Sequence, residues 1–321
     1  MAAQKSSRSA LVIAGLGFGV ALGVAAGTMV IAPNMEGTSA AVASDDPIRE
    51  EHRALLLENK EIQAQSDSAD SLISGLSADA LAASLEGRDV SIIATGDAAE
   101  GDVAGVRDML NAAGAVDSGT ITMTNEFLHP EGADKIKSIV ANVLPAGAEL
   151  DEQDLSAGRH TGQALAAALL RDPESAEPMA SSEDRGALLQ ALREAGFLNY
   201  EDGTILPAQA VVVVMGRGGD EYYHDNLVAF ANSLNEAGTY GVLAGKLQAA
   251  GEGGVIDTLR SEAGGGEGAN PDAISTVDSI NRDFAQLAVA LAVVEQLGNG
   301  SGAYGASESA EAAAPPLPEG E

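Results

Sequence analysis

The sequence contains no cysteine. That excludes disulfides, thiolate metal centres and a cysteine nucleophile. It does not fix the compartment. Tryptophan is also absent and aromatic residues make up only 3%, which argues against base-stacking platforms and aromatic sugar-binding walls. Basic residues are scarce, with 17 Lys and Arg against 48 Asp and Glu and a formal net charge of −31. A nucleic-acid binder needs a basic face, so no nucleic-acid partner is expected. Docking on anionic lipid by charge is disfavoured for the same reason. Catalytic signatures are missing as well. No serine stands in G-x-S-x-G, and His52, His129, His160 and His224 are isolated, without H-x-H or H-E-x-x-H spacing. The methionines are scattered, whereas copper(I) prefers clustered soft ligands. No catalytic, metal or cofactor-binding residue is assigned.

What is present begins with an uncharged apolar run, Ala10 to Ala32. At about 1.5 Å per residue, a helix of this length crosses a hydrocarbon core of roughly 30 Å. Gly15, Gly19, Gly23 and Gly27 recur every fourth residue in it. A glycine ridge lets a second helix approach closely in lipid, where dispersion contacts drive association. The plainer reading is that glycine is common in membrane helices. Lys5 and Arg8 precede the run and Glu36, Asp45 and Asp46 follow it. The positive-inside rule then predicts a single-pass plasma-membrane protein with residues 1–9 cytoplasmic and the chain beyond about residue 33 outside. Ala41-Val42-Ala43 offers a competing cleavage site, but a signal h-region usually has only about 7–15 residues.

Residues 46–76 follow a heptad. Ile48, Leu55, Ile62, Ala69 and Leu76 fall at d, and His52, Asn59, Ser66 and Ile73 at a. This spacing predicts a short parallel coiled-coil stalk, in which Asn59 pairs with its own copy and fixes the register. The alternative is an amphipathic helix packed on its own domain. Facing copies of His52 would repel when protonated and loosen such a seam in acid.

From Arg88 the pattern alternates. Strands are predicted at Val90–Ala94, Ala115–Met123, Val211–Met215 and near Tyr240–Leu243. Helices are predicted at Asp102–Ala113, Glu131–Val143, from a cap at Ser182 to Gly196, at Glu221–Ala237 and at Asn281–Leu297. Strand and helix in alternation indicate crossover units on a mainly parallel sheet. The expected fold is therefore α/β: one transmembrane helix (10–32), the stalk (46–76) and a Rossmann-like extracytoplasmic domain (87–298). Residues 262–271 read as a flexible loop and 299–321 as a disordered tail. Gly216-Arg217-Gly218-Gly219-Asp220 follows the strongest strand, where α/β sheets place ligand loops, but it lacks G-x-G-x-x-G spacing and reads as a turn. Asp97 and Glu100 follow the first strand as a possible acid–base pair, which the abundance of carboxylates explains as well.

Four segments resemble the actinobacterial MctB family, often labelled copper transporters, and within it the SteB cell-separation branch. They are Arg49 to Leu57; Gly87-Arg88-Asp89-Val90-Ser91-Ile92-Ile93; Asn142-Val143-Leu144-Pro145-Ala146-Gly147; and Ser275-Thr276-Val277-Asp278 with Glu295-Gln296-Leu297 and Gly300-Ser301-Gly302-Ala303-Tyr304-Gly305. The resemblance implies either copper homeostasis or envelope assembly. In the second case SteB-like proteins dimerise, pair with SteA-like membrane partners and control peptidoglycan hydrolysis at division. One helix per chain encloses no pore by itself, and far fewer than eight alternating strands of barrel length are evident. The expected function is a non-catalytic homodimeric scaffold that binds a peptidoglycan hydrolase or its helical regulatory segment. Copper handling and an α/β envelope enzyme remain as alternatives.

Replacing Gly19 and Gly23 by Ile is expected to weaken self-association of the full-length chain in membranes, read by cross-linking. An unchanged dimer would assign the pairing to the stalk alone.

Overall fold

Val211, Val212, Val213 and Val214 are all buried in the middle of the sheet, as a β-branched run covered on both faces must be. The computed structural model describes residues 47–81, 83–237, 240–264 and 273–317. The expected membrane segment 10–32, with Gly15, Gly19, Gly23 and Gly27, lies outside the described residues, as does most of the expected loop 262–271. Among the described residues no helix is long and apolar enough to cross a membrane.

The chain divides into two units between Ser68 and Ala69. In the first, the described residues are helical from Pro47 onward, forming the start of α1 (Pro47–Leu81, 35 residues). Proline at the first helical position is pre-organised for a helix, and the Glu, Lys, Ala and Leu that follow are strong helix formers. The second unit begins with the last turns of α1 and holds the sheet.

Among the described residues seven strands stand in the order β3-β2-β1-β4-β5-β6-β7. They are β1 (Asp89–Ala94), β2 (Val116–Met123), β3 (Leu198–Tyr200), β4 (Ala210–Val214), β5 (Tyr240–Ala244), β6 (Ser275–Val277) and β7 (Ala303–Tyr304). All neighbours are parallel except β2 and β3, so the mainly parallel α/β sheet expected from the sequence is present. One face carries α2 (Glu100–Ala112), α8 (Asp283–Leu297) and the end of α1, packed on Ile92, Val212, Val242 and Val277. The other carries α3 (Ala133–Asn142), α4 (Ala157–Leu169), α5 (Ser182–Glu194), α6 (Glu221–Glu236) and α7 (Val255–Glu262), packed on Ile93, Val211, Val213 and Leu243. Alternation along each strand supplies both faces. The tight α4–α6 contact needs glycine. A Cβ at Gly158 would lie 2.0 Å from the Asn226 carbonyl oxygen, and one at Gly162 would lie 2.7 Å from the Ser233 Cβ.

Three details differ from the sequence reading. The cap of α5 is Ser181, whose side chain accepts from the Asp184 N–H, and not Ser182. Ile73, expected in a coiled-coil seam, is half-buried against the core of its own domain. Beside it Ser77 is buried, and Arg282 Nε donates to Asp70 Oδ2 at 2.6 Å. Finally, residues 299–317 are not a structureless tail: they form β7 and a bridge between Tyr304 and Ala312.

That last segment is held by a buried charge pair. Arg260 Nη1 lies 3.1 Å from Asp278 Oδ2, with side chains 4% and 0% exposed. Arg260 also donates to the hydroxyls of Thr276, Ser307 and Ser309 and to the Tyr304 carbonyl. Asp278 accepts from the Ala306 and Ser307 N–H groups and the Ser279 and Ser307 hydroxyls. Burial pushes the Asp278 pKa up, but the donors from Ser307, Ala306 and Ser279 and the Arg260 charge outweigh it, and the net shift is downward. Composition could not show this, because the contacts come from a strand and a helix remote in sequence.

Asp278→Asn is expected to destabilise the fold by about 3–5 kcal/mol, the usual cost of leaving one partner of a buried pair uncompensated. Because the folded pKa is depressed, this contribution is present above the ordinary carboxylate pKa and fades as pH falls below it. Urea unfolding of wild type and variant at neutral and acid pH should therefore show the gap narrowing in acid.

Candidate functional site

Adjacent strands β1 and β4 send their helices to opposite faces, α2 to one and α6 to the other. Their carboxyl ends diverge there, at the switch point where doubly wound sheets bind ligands. The loop Gly216–Asp220 lies at this point, as its place after β4 predicts. It ends at Asp220, which caps α6 by accepting from the Tyr223 N–H at 3.0 Å.

Asp97 reaches toward the β4 loop from the β1 side, and the residue stays solvent-exposed. Its carboxylate accepts from the Thr95 hydroxyl at 2.6 Å, the Tyr223 hydroxyl at 2.8 Å and the Gly218 N–H at 3.1 Å. The approach is close: a Cβ at Gly216 would lie 2.2 Å from the Asp97 carbonyl oxygen. Burial raises the Asp97 pKa, but the hydrogen bonds from Thr95, Tyr223, Gly218 and Gly216 prevail and lower it. Burial, then the neighbouring Asp97, holds Tyr223 firmly protonated. The tyrosine is thus a fixed donor and the aspartate a fixed anion. A neighbouring ion pair joins Lys246, just after β5, to Asp102 of α2 at 3.7 Å.

This arrangement does not fit an anionic dinucleotide. The Gly218 N–H that would meet a phosphate is already bonded to Asp97, and a fixed carboxylate stands where the negative group would sit. It does not make an acid–base pair either. Asp97 is held ionised, and Glu100 is exposed in the first turn of α2 with no contact to it. The role of Asp97 is to tie the β1 and β4 loops to the start of α6.

The histidines are apart and locally engaged. His129 accepts from the Glu131 N–H, His160 Nε2 lies 2.9 Å from the Asp151 carbonyl, and His224 Nδ1 lies 3.1 Å from the Gly253 carbonyl. Among the described residues no group of three or more His, Cys, Asp or Glu is placed to hold a metal ion.

The expected stalk residues lie on α1. His52 and Asn59 are exposed, and Leu55, Ile62 and Leu76 are 50%, 44% and 53% exposed. Ala69 is half-buried, and the Ile48 side chain lies outside the described residues. A partner could reach the stripe from His52 to Ile62, whereas Ile73 is taken by the domain. Sequence reasoning missed two features, the buried Arg260–Asp278 pair and the Asp97–Tyr223 bond. The latter joins residues 126 positions apart, and no local pattern marks it.

The model of the family described as "Copper transport outer membrane protein, MctB" matches residues 6–315. This chain belongs to the MctB family. Relatives named "Copper transporter MctB" from Mycobacterium tuberculosis (strain ATCC 25618 / H37Rv) and Mycobacterium bovis are 32% identical over 234 residues, covering 70% of this chain and 72% of theirs. That from Mycobacterium leprae is 29% identical over 237 residues, covering 70% and 73%.

Asp97→Ala is expected to cost about 1–2 kcal/mol, because the buried Tyr223 hydroxyl loses its acceptor. Combined with Tyr223→Phe, the loss should be smaller than the sum of the two single losses, measured as a double-mutant cycle in urea.

Proposed function

We propose that this MctB-family protein is a non-catalytic, homodimeric scaffold of the cell envelope. In this reading it is anchored by the apolar run Ala10–Ala32 with its main domain outside the plasma membrane. It pairs in parallel through Gly15, Gly19, Gly23 and Gly27 and through the α1 stripe. Its task is daughter-cell separation, as in the SteB-like branch: it meets a SteA-like membrane partner and binds a peptidoglycan hydrolase, or the hydrolase's helical segment, in the helix-in-groove mode.

The observation that carries this reading is the apolar stripe on α1, where Leu55 and Ile62 stand half-exposed around a polar Asn59. Apolar side chains at heptad spacing on a long exposed helix favour a helical partner. Asn59 favours a parallel, in-register copy. The switch point adds support, since Asp97 engages donors that a bound anion would use.

Copper handling is the second reading, favoured by the family description and by the names of the mycobacterial relatives. Copper would then be cargo bound at a site completed by assembly or by a partner.

A deletion strain separates the two. Chained, unseparated cells with unchanged copper tolerance are expected; normal separation with copper sensitivity would reverse the ranking. Calorimetric titration of the full-length protein with copper(I) and copper(II) is expected to show no submicromolar site. Such a site, lost on replacing histidine or methionine, would favour copper handling.

A further inference from the structure

The short connection between β6 and α8, Asp278 to Arg282, sends a long-range contact from each of its ends. At the first end, the Asp278 carboxylate accepts from the Ala306 N–H at 2.8 Å and from the Ser307 hydroxyl at 2.7 Å. At the other, Arg282 Nε donates to Asp70 Oδ2 at 2.6 Å. Asp70 lies on α1, in the same compact unit as the sheet. One connection thus touches both the base of the long helix and the segment that follows β7.

The connection has little slack. The Asp278 N–H donates to the Tyr304 carbonyl at 2.9 Å, the Ile280 N–H to the Gly245 carbonyl at 3.0 Å, and the Arg282 N–H to the Ser279 carbonyl at 2.9 Å. Gln286 Nε2 donates to the Ile280 carbonyl at 3.1 Å. Ser279 is buried at φ 63°, a left-handed conformation uncommon for serine. Its hydroxyl donates to Asp278 Oδ1, the same oxygen that accepts from Ala306. A residue held in a sparsely populated conformation persists only while its surroundings over-determine it. A backbone shift at Ser279 therefore moves the carboxylate away from its donors at 306 and 307.

The α1 side is tied as firmly. Ile73 packs on the domain, Ser77 and Leu81 are buried, and the Asp70 and Arg282 side chains are 15% and 24% exposed. Among the described residues this is the only ion pair that α1 makes.

We propose that the connection 278–282 couples the base of α1 to the carboxyl-terminal segment 303–312. Displacing α1 at Asp70 loosens the bonds from Asp278 to Ala306 and Ser307, and freeing those bonds loosens the base of α1. The reciprocity is required, because one coupling free energy acts on both ends. The device works within a single chain, so it does not rest on the scaffold reading.

The test is hydrogen exchange of the full-length protein in detergent, read by mass spectrometry. Asp70→Ala and Arg282→Gln should each speed exchange in peptides covering 303–312 on the order of tenfold, with peptides covering 210–214 in β4 unchanged. In the reverse direction, Ser307→Ala should speed exchange over 70–81. Unchanged exchange over 303–312 in both variants, or an equal rise in β4 that marks general destabilisation, overturns the proposal. A response in one direction alone overturns it as well, since linkage requires both.

Discussion

Arg260 and Asp278 sit almost entirely out of water, and the carboxyl-terminal third of the sheet depends on them. Burying two charges costs several kcal/mol each after relaxation, and only near-complete hydrogen bonding makes that tolerable. Here the bonding partners are the segments that need positioning: Thr276 in β6, Tyr304 in β7 and Ser307 and Ser309 beyond it. The pair also secures an unusual connection. The crossovers β1–β2, β4–β5 and β5–β6 share one hand, whereas β6–β7 runs toward the β7 edge with α8 on the same face as α2 and so has the opposite hand. Parallel crossovers are right-handed in about 98% of cases. With only three and two residues in β6 and β7, strand pairing alone contributes little, and the charge pair supplies what the ladder cannot.

At the opposite side of the topology, Asp97 does for the switch point what Asp278 does for the edge. A carboxylate takes the donors of Thr95, Tyr223 and Gly218 at the place where this architecture usually takes a ligand. Fold class therefore carries little functional information. What stays exposed is a surface, the apolar stripe along α1.

Much of the α/β domain was legible because local pattern and tertiary role agree. The Val211–Val214 run reads as a central strand and is one. The apolar spacing of Val103, Val106, Met109 and Leu110 reads as a helix face and packs as one. The misses have separate causes. The segment beyond Gly298 carries few apolar residues, and its order comes from polar contacts to Arg260 and Asp278. Helix α4, rich in alanine and glycine, was passed over; it is buried along most of its length against α6 and its neighbours, a packing set by segments remote in sequence. Ile73 shows the limit of a heptad: spacing places a side chain on a face but does not say whether a copy or the chain's own domain covers it. Of the candidate site, the loop Gly216–Asp220 was placed correctly, but Tyr223, which holds Asp97 from α6, was not visible in the sequence.

The central claim is that α1 pairs in parallel with its own copy through the stripe that includes Asn59. The absence of native cysteine makes a direct measurement possible, since one introduced thiol reports alone. Full-length protein carrying Asn59→Cys, oxidised in membranes, should give a disulfide-linked dimer, because equivalent a positions face each other in a parallel seam. Leu57→Cys, on the outer side of the same helix, should give little. Failure of Asn59→Cys to cross-link, or equal cross-linking at both positions, would contradict the parallel seam.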